Sequence, residues 1–91
     1  MYATKIKMKT YCKASMNLTE IEDIYITGNA LNGYYKKEYL YTYLQMYPDS
    51  IKVNIYPYPN LVPAQSKYGE KYVRSQPNDT QTDNLLKLPR E

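Results

Sequence analysis

Residues 34–48 read YYKKEYLYTYLQMYP, and their spacing decides what kind of fold the chain builds. Leu40, Tyr43, Leu44 and Tyr47 fall at i, i+3, i+4 and i+7, the apolar stripe of an amphipathic helix. Tyr39 borders that stripe, while Lys36, Lys37 and Gln45 lie off it. Asn32 stands where it can cap the start, and Pro48 stops the helix by driving its predecessor out of helical geometry. A single helix of this kind needs a surface to cover, and the flanking segments supply strands.

Upstream, TKIKMKTYCK (4–13) alternates, with Thr4, Ile6, Met8, Thr10 and Cys12 on one side and Lys5, Lys7, Lys9, Tyr11 and Lys13 on the other. Period two over such a run predicts a half-buried strand. LTEIEDIYIT (18–27) predicts a second strand, with Ile24 and Ile26 inward and Glu22, Tyr25 and Thr27 outward. GNALNG (28–33) is a break with a glycine at each end. Downstream, SIKVNIY (50–56) predicts a third strand with Ile51, Val53 and Ile55 inward. PYPNLVPAQSKYG (57–69) holds three prolines and reads as a long extended loop. EKYVRS (70–75) is a fourth, short strand. The outline is an α+β fold, a small antiparallel sheet in β-β-α-β-β order with one amphipathic helix packed on it.

The tail has its own logic. QPND (76–79) is a turn signal, since Pro77 presets φ and Asn or Asp tolerates unusual dihedrals. Asp79 or Thr80 then caps a short helical turn, and Thr80 and Asp83 have capping-box spacing. Leu85, Leu86 and Leu88 dock the tail on the sheet, and Pro89 ends the element. The chain is therefore read as a single domain over 1–91, with an α+β core at 1–76 and a turn and docked tail at 77–91. Domains typically run to roughly 100–150 residues, and a chain of 91 buries about 60–65% of its unfolded surface. A core this modest leaves no room for a deep cleft, so a homo-oligomer with a shared concavity is expected.

Composition narrows the chemistry. All thirteen aromatic residues are Tyr, and there is no His. Tyrosine rings need partners or water for their hydroxyls, and they suit adaptable binding surfaces. The net charge of +3 is too weak by itself to imply nucleic acid. A single Cys12 excludes an internal disulfide and fits a reducing compartment. No apolar run reaches the roughly 20 residues that span a bilayer, and MYATKIKMK has no signal-peptide apolar region after its lysines. A cytoplasmic protein with no membrane partner is expected.

KYVRSQPNDTQTDNLLKLP resembles the closing signature of a small family of bacterial and phage proteins of unknown function. The residues carrying the resemblance are Tyr72, Arg74, Ser75, Pro77, Asp79, Thr80, Asp83, Asn84, Leu85, Leu86, Leu88 and Pro89. It implies the same fold outline and a bacterial or phage-infected host cell. It implies no activity.

Without His, the commonest general base is missing and no Ser-His-Asp, Cys-His or His-based metal set can form. Glu20, Glu22 and Asp23 are expected to face the strand lysines, and Asp79 and Asp83 to cap. The chain is thus read as a non-enzymatic binding protein with no cofactor and no metal. The favoured ligand is small and anionic or nucleotide-like, as for a phage protein that sequesters a host signal in counter-defence. Its expected site joins Arg74, Ser75, Asn78, Thr80 and Asn84 at the start of the tail turn to Tyr72 and Tyr56 as stacking rings. The first alternative is a protein-interaction module or inhibitor of a host protein, using the tyrosine-rich surface. The second is weak nucleic-acid binding through Lys5, Lys7 and Lys9 with Tyr11 interleaved, which the neighbouring acidic strand opposes.

Overall fold

The computed structural model describes residues 1–77 and 82–91. Its strands are β1 (Tyr2–Met8), β2 (Ile21–Thr27), β3 (Gly33–Lys36), β4 (Lys52–Val53), β5 (Leu61–Gln65) and β6 (Lys71–Ser75). The helix α1 spans Lys37–Met46, and 3₁₀ turns occupy Leu18–Glu20 and Asn84–Lys87. The fold is a small α+β one. A four-stranded sheet in the order β3-β2-β1-β4 accompanies a two-stranded hairpin of β5 and β6.

The larger sheet is mixed, because β4 runs parallel to β1 while the β1–β2 and β2–β3 pairs are antiparallel. The direction follows from the crossover: α1 carries the chain from edge strand β3 to the far side of β1. Strand β4 is short, and Tyr2 and Ala3 pair with Lys52 and Val53. The rest of that edge of β1 is taken by the tail, where Ile6 N donates to Pro89 O (2.9 Å) and Glu91 N donates to Ile6 O (3.0 Å). The docked tail thus completes the sheet. Leu85, Leu86 and Leu88 are buried in the common core, each contributing about 1.5–3 kcal/mol.

Strand β1 ends at Met8, and Ala3 rather than Thr4 is buried with Ile6 and Met8. A register shift between Ala3 and Lys5 changes which face the alternation addresses. Gly33, at φ +137°, turns the chain into β3, so residues 33–36 are a strand and not the opening of the helix. Two adjacent tyrosines suit a pleated surface, and Tyr34 packs edge-on against its cross-strand partner Tyr25 at 5.0 Å. Lys36, not Asn32, holds the cap position, with no side-chain cap bond. Residues 61–65 of the proline-rich segment are paired as well. Pro63 lies opposite Val73, and a two-stranded hairpin gives each strand a free edge where a missing N–H costs no ladder bond.

Helix α1 buries Leu40 and Leu44 against the sheet and the β5–β6 hairpin. The third buried residue on that face is Lys37, expected to lie off it and only 1% exposed. Its ammonium donates to Glu70 Oε2 at 2.8 Å and to Thr19 O at 2.5 Å, so the charge enters the core already paired. Among the described residues no helix is long and apolar enough to cross a membrane.

Candidate functional site

The tail turn is built around Asp83. Its side chain accepts from Ser75 N (3.1 Å), Ser75 Oγ (2.7 Å) and Leu85 N (2.9 Å), capping the second 3₁₀ turn and tying it to the end of β6. Arg74 Nε lies 3.8 Å from Asp83 Oδ2. Ser75 and Asn84 are buried, and Asn84 Nδ2 donates to Ile55 O while its backbone N donates to Ser75 Oγ. Of the expected ligand group, Arg74 and Tyr72 share the half-exposed face of β6, because Val73 and Ser75 take the inward positions. Ser75 and Asn84 are engaged inside the docking joint, while Tyr56 stands exposed on the segment after β4. Asn78 and Thr80, with the capping role expected of Asp79, lie outside the described residues. The turn therefore works foremost as a latch between hairpin and tail.

The lysines in and just after β1 divide by role. Lys5 lies over the Tyr25 ring at 4.7 Å, and Lys9 pairs with Glu70 at 3.4 Å. Lys7 and the wholly exposed Tyr11 line a hollow at the end of β1. The expected opposition from the acidic strand is directed elsewhere, since Glu22 and Asp23 both pair with Lys36 at 3.6 and 3.7 Å. On the same strands the Tyr34 hydroxyl is enclosed with no hydrogen-bond partner among the described residues. Burial first, and the nearby Glu91 carboxylate second, push its pKa up to about 12; Glu91 is close enough to oppose ionisation but outside hydrogen-bond geometry.

A third surface was not singled out by the sequence reading. Tyr35, Tyr39, Tyr43 and Tyr47 form a continuous ladder of rings along α1, with centroids 5.5, 6.5 and 4.9 Å apart. The buried side of α1 is filled by Lys37, Leu40 and Leu44; of the tyrosines, Tyr35 and Tyr43 are half-buried against the core while Tyr39 and Tyr47 turn outward. Tyr39, Met46 and Tyr47 are 51%, 67% and 52% exposed, and with Tyr43 and Thr42 they frame a shallow groove of about 330 Å³. The signal was present in the sequence as a tyrosine at every fourth position from 35 to 47. Of these, Tyr43 and Tyr47 were assigned to the apolar stripe and Tyr39 to its border.

Among the described residues, no cluster of three or more Cys, Asp or Glu side chains is placed to hold a metal ion. Residues 54–89 match the model of a family described as a protein of unknown function, DUF3892. The match covers the β5–β6 hairpin and the tail turn, including the signature from Tyr72 to Pro89. It leaves β1 to β4 and α1 outside. No curated protein and no solved structure is significantly similar to the chain.

Proposed function

We propose that the chain is a non-catalytic protein-interaction module that docks a partner protein on the tyrosine ladder of α1. One observation carries this reading. A row of touching rings, stacked from Tyr39 to Tyr43 and tilted from Tyr43 to Tyr47, with more than half of Tyr39, Met46 and Tyr47 exposed, is a contiguous apolar and aromatic face on a small fold. Stacking already fixes the rings, so little side-chain entropy is lost when a partner covers them. Tyrosine and methionine are enriched at the cores of protein interfaces.

The partner's chemistry follows from charge. Among the described residues, Lys5, Lys67 and Lys71 lie over tyrosine rings, those of Tyr25, Tyr68 and Tyr41. Among the described residues no cation lies over Tyr39, Tyr43 or Tyr47, and the exposed charge of the helix's first turn is Glu38. Electron-rich ring faces beside a carboxylate favour a segment bearing arginine with aliphatic neighbours. The ligand-sequestering reading at the Arg74 turn ranks below this one, because Ser75 and Asn84 are spent on the latch.

The test compares tagged wild-type chain with a Tyr39→Ser/Tyr43→Ser variant as baits in extract from the native cell. The reading expects a discrete protein retained by the wild type and depleted at least about tenfold by the variant, whose thermal unfolding stays cooperative. Equal recovery by both baits contradicts it. A homodimer dissociated by the same pair of substitutions would identify the partner as a second copy.

A further inference from the structure

The hollow at the end of β1 has a composition that neither the latch nor the ladder explains. It encloses about 800 Å³, within the range of roughly 300–1,000 Å³ usual for ligand sites, and Lys7, Lys9, Lys13 and Tyr11 line it with Glu22 and Glu91. Tyr11 is 100% exposed and adopts φ +66°, a conformation that a bulky side chain rarely takes and that glycine or asparagine adopts at lower cost. Its ring buries nothing in return.

The loop that carries Tyr11 is nonetheless fixed. Cys12 N donates to Lys9 O at 2.9 Å, and Arg90 from the tail donates to the carbonyls of Lys13 (2.9 Å) and Ser15 (2.7 Å). Glu20 holds the same loop from below, accepting from Ser15 Oγ and from Cys12 Sγ. A ring presented to solvent on an anchored turn is a prepared stacking shelf.

The charges around it are unequally committed. Lys9 pairs with Glu70, and Glu22 pairs with Lys36. Lys7 and Lys13 form no ion pair among the described residues, which leaves two ammonium groups beside the shelf. Two carboxylates share the lining with them, Glu22, which is paired with Lys36, and Glu91. Paired cations next to an aromatic face match a group that is planar at one end and anionic at the other.

We infer that this hollow is a nucleotide site, in which the base stacks on Tyr11 and phosphate is held by Lys7 and Lys13. The site is separate from the α1 ladder and goes beyond the protein-docking reading. Free nucleotides and single-stranded nucleic acid share this chemistry, and the experiment separates them.

The experiment follows amide chemical shifts of the full chain during titration with ADP, ribose 5-phosphate, pyrophosphate and a short oligothymidylate. ADP or the oligonucleotide is expected to perturb the amides around Tyr11 and Lys13, at least about tenfold more tightly than the two base-free phosphates. Tyr11→Ser is expected to weaken that binding about tenfold, and Lys7→Gln/Lys13→Gln to weaken it and flatten its salt dependence. All three positions are on the surface, so these variants keep the fold. Saturation by ADP alone identifies a free nucleotide as the ligand, and a preference for the oligonucleotide that falls with salt identifies a strand. No perturbation by either, binding equal to that of pyrophosphate, or binding unchanged by Tyr11→Ser overturns the inference.

Discussion

Lys37 Nζ lies 2.8 Å from Glu70 Oε2, joining the first turn of α1 to the turn between β5 and β6. The lysine is enclosed and the carboxylate remains 39% exposed, so the cation depends on a partner that water still reaches. Removing that partner leaves the buried charge with only the more distant Glu38 carboxylate at 3.9 Å and the Thr19 carbonyl. Glu70→Gln is expected to destabilise the fold by about 1–3 kcal/mol, below the usual range for a fully buried pair because of that exposure. Lys37→Met, which removes the charge itself, is expected to cost less. Urea unfolding of both variants checks the order, and equal losses would mean that the pair is not what matters.

The same contact sets an acid limit. The hydrogen bond from Lys37, with the nearby Lys37 and Lys9 charges behind it, holds the Glu70 carboxyl below its ordinary value of 4.5. A depressed carboxyl contributes stability that is complete above its unfolded pKa and disappears as pH falls through the folded one. The melting-temperature gap between wild type and Glu70→Gln should therefore be full above about pH 5 and close as the solution is acidified below about pH 4. A gap independent of pH would remove Glu70 from the account.

Asp83→Ala is expected to cost about 2–3 kcal/mol, combining a lost cap with the stranded Ser75 donors. The tail should then exchange its amide hydrogens faster from residue 84 onward, and Ile6 N should follow because Pro89 O is its acceptor. Protection at Ile6 unchanged in the variant would show that the tail docks without the latch.

Cys12 gives a readout of the loop carrying Tyr11. The hydrogen bond to Glu20, then burial, raise its thiol pKa, so alkylation at neutral pH should be slow. Glu20→Gln is expected to speed it, as the carboxylate also anchors Ser15. An unchanged rate would indicate that Glu20 does not hold this loop.

Much of this was legible in the residues. Periods of two and 3.6 located β1, β2 and α1, and the leucines of the tail announced its docking. Direction was not legible: nothing in Lys52–Val53 tells that β4 runs parallel to β1, because the crossover of α1 imposes it. Strand β3 was absorbed into the helix because Tyr34 and Tyr35 fit either period, and the pairing with Tyr25 and Ile24 that decides the matter lies nine and eleven residues away. The tail residues Arg74, Ser75, Asp83 and Asn84 drew notice as polar groups around a turn. Their hydrogen bonds to one another span the chain between β6 and the tail, and such contacts leave no periodic trace. Lys37 misled for a related reason, since a lysine reads as exposed until Glu70 is known to meet it. The tyrosine spacing was visible, and Tyr43 does pack against the core as its place on the stripe implies, but Tyr47 stands exposed because Leu40, Leu44 and Lys37 fill the buried face.

The most direct test of the docking face places a photo-crosslinking benzoylphenylalanine at Tyr47, 52% exposed on the ladder, or at Tyr68, 87% exposed in the β5–β6 turn. Irradiation in the native cell should link the chain from position 47 to one discrete protein and yield no such product from position 68. The same product from both positions, or none from position 47, would contradict the ladder as the docking surface.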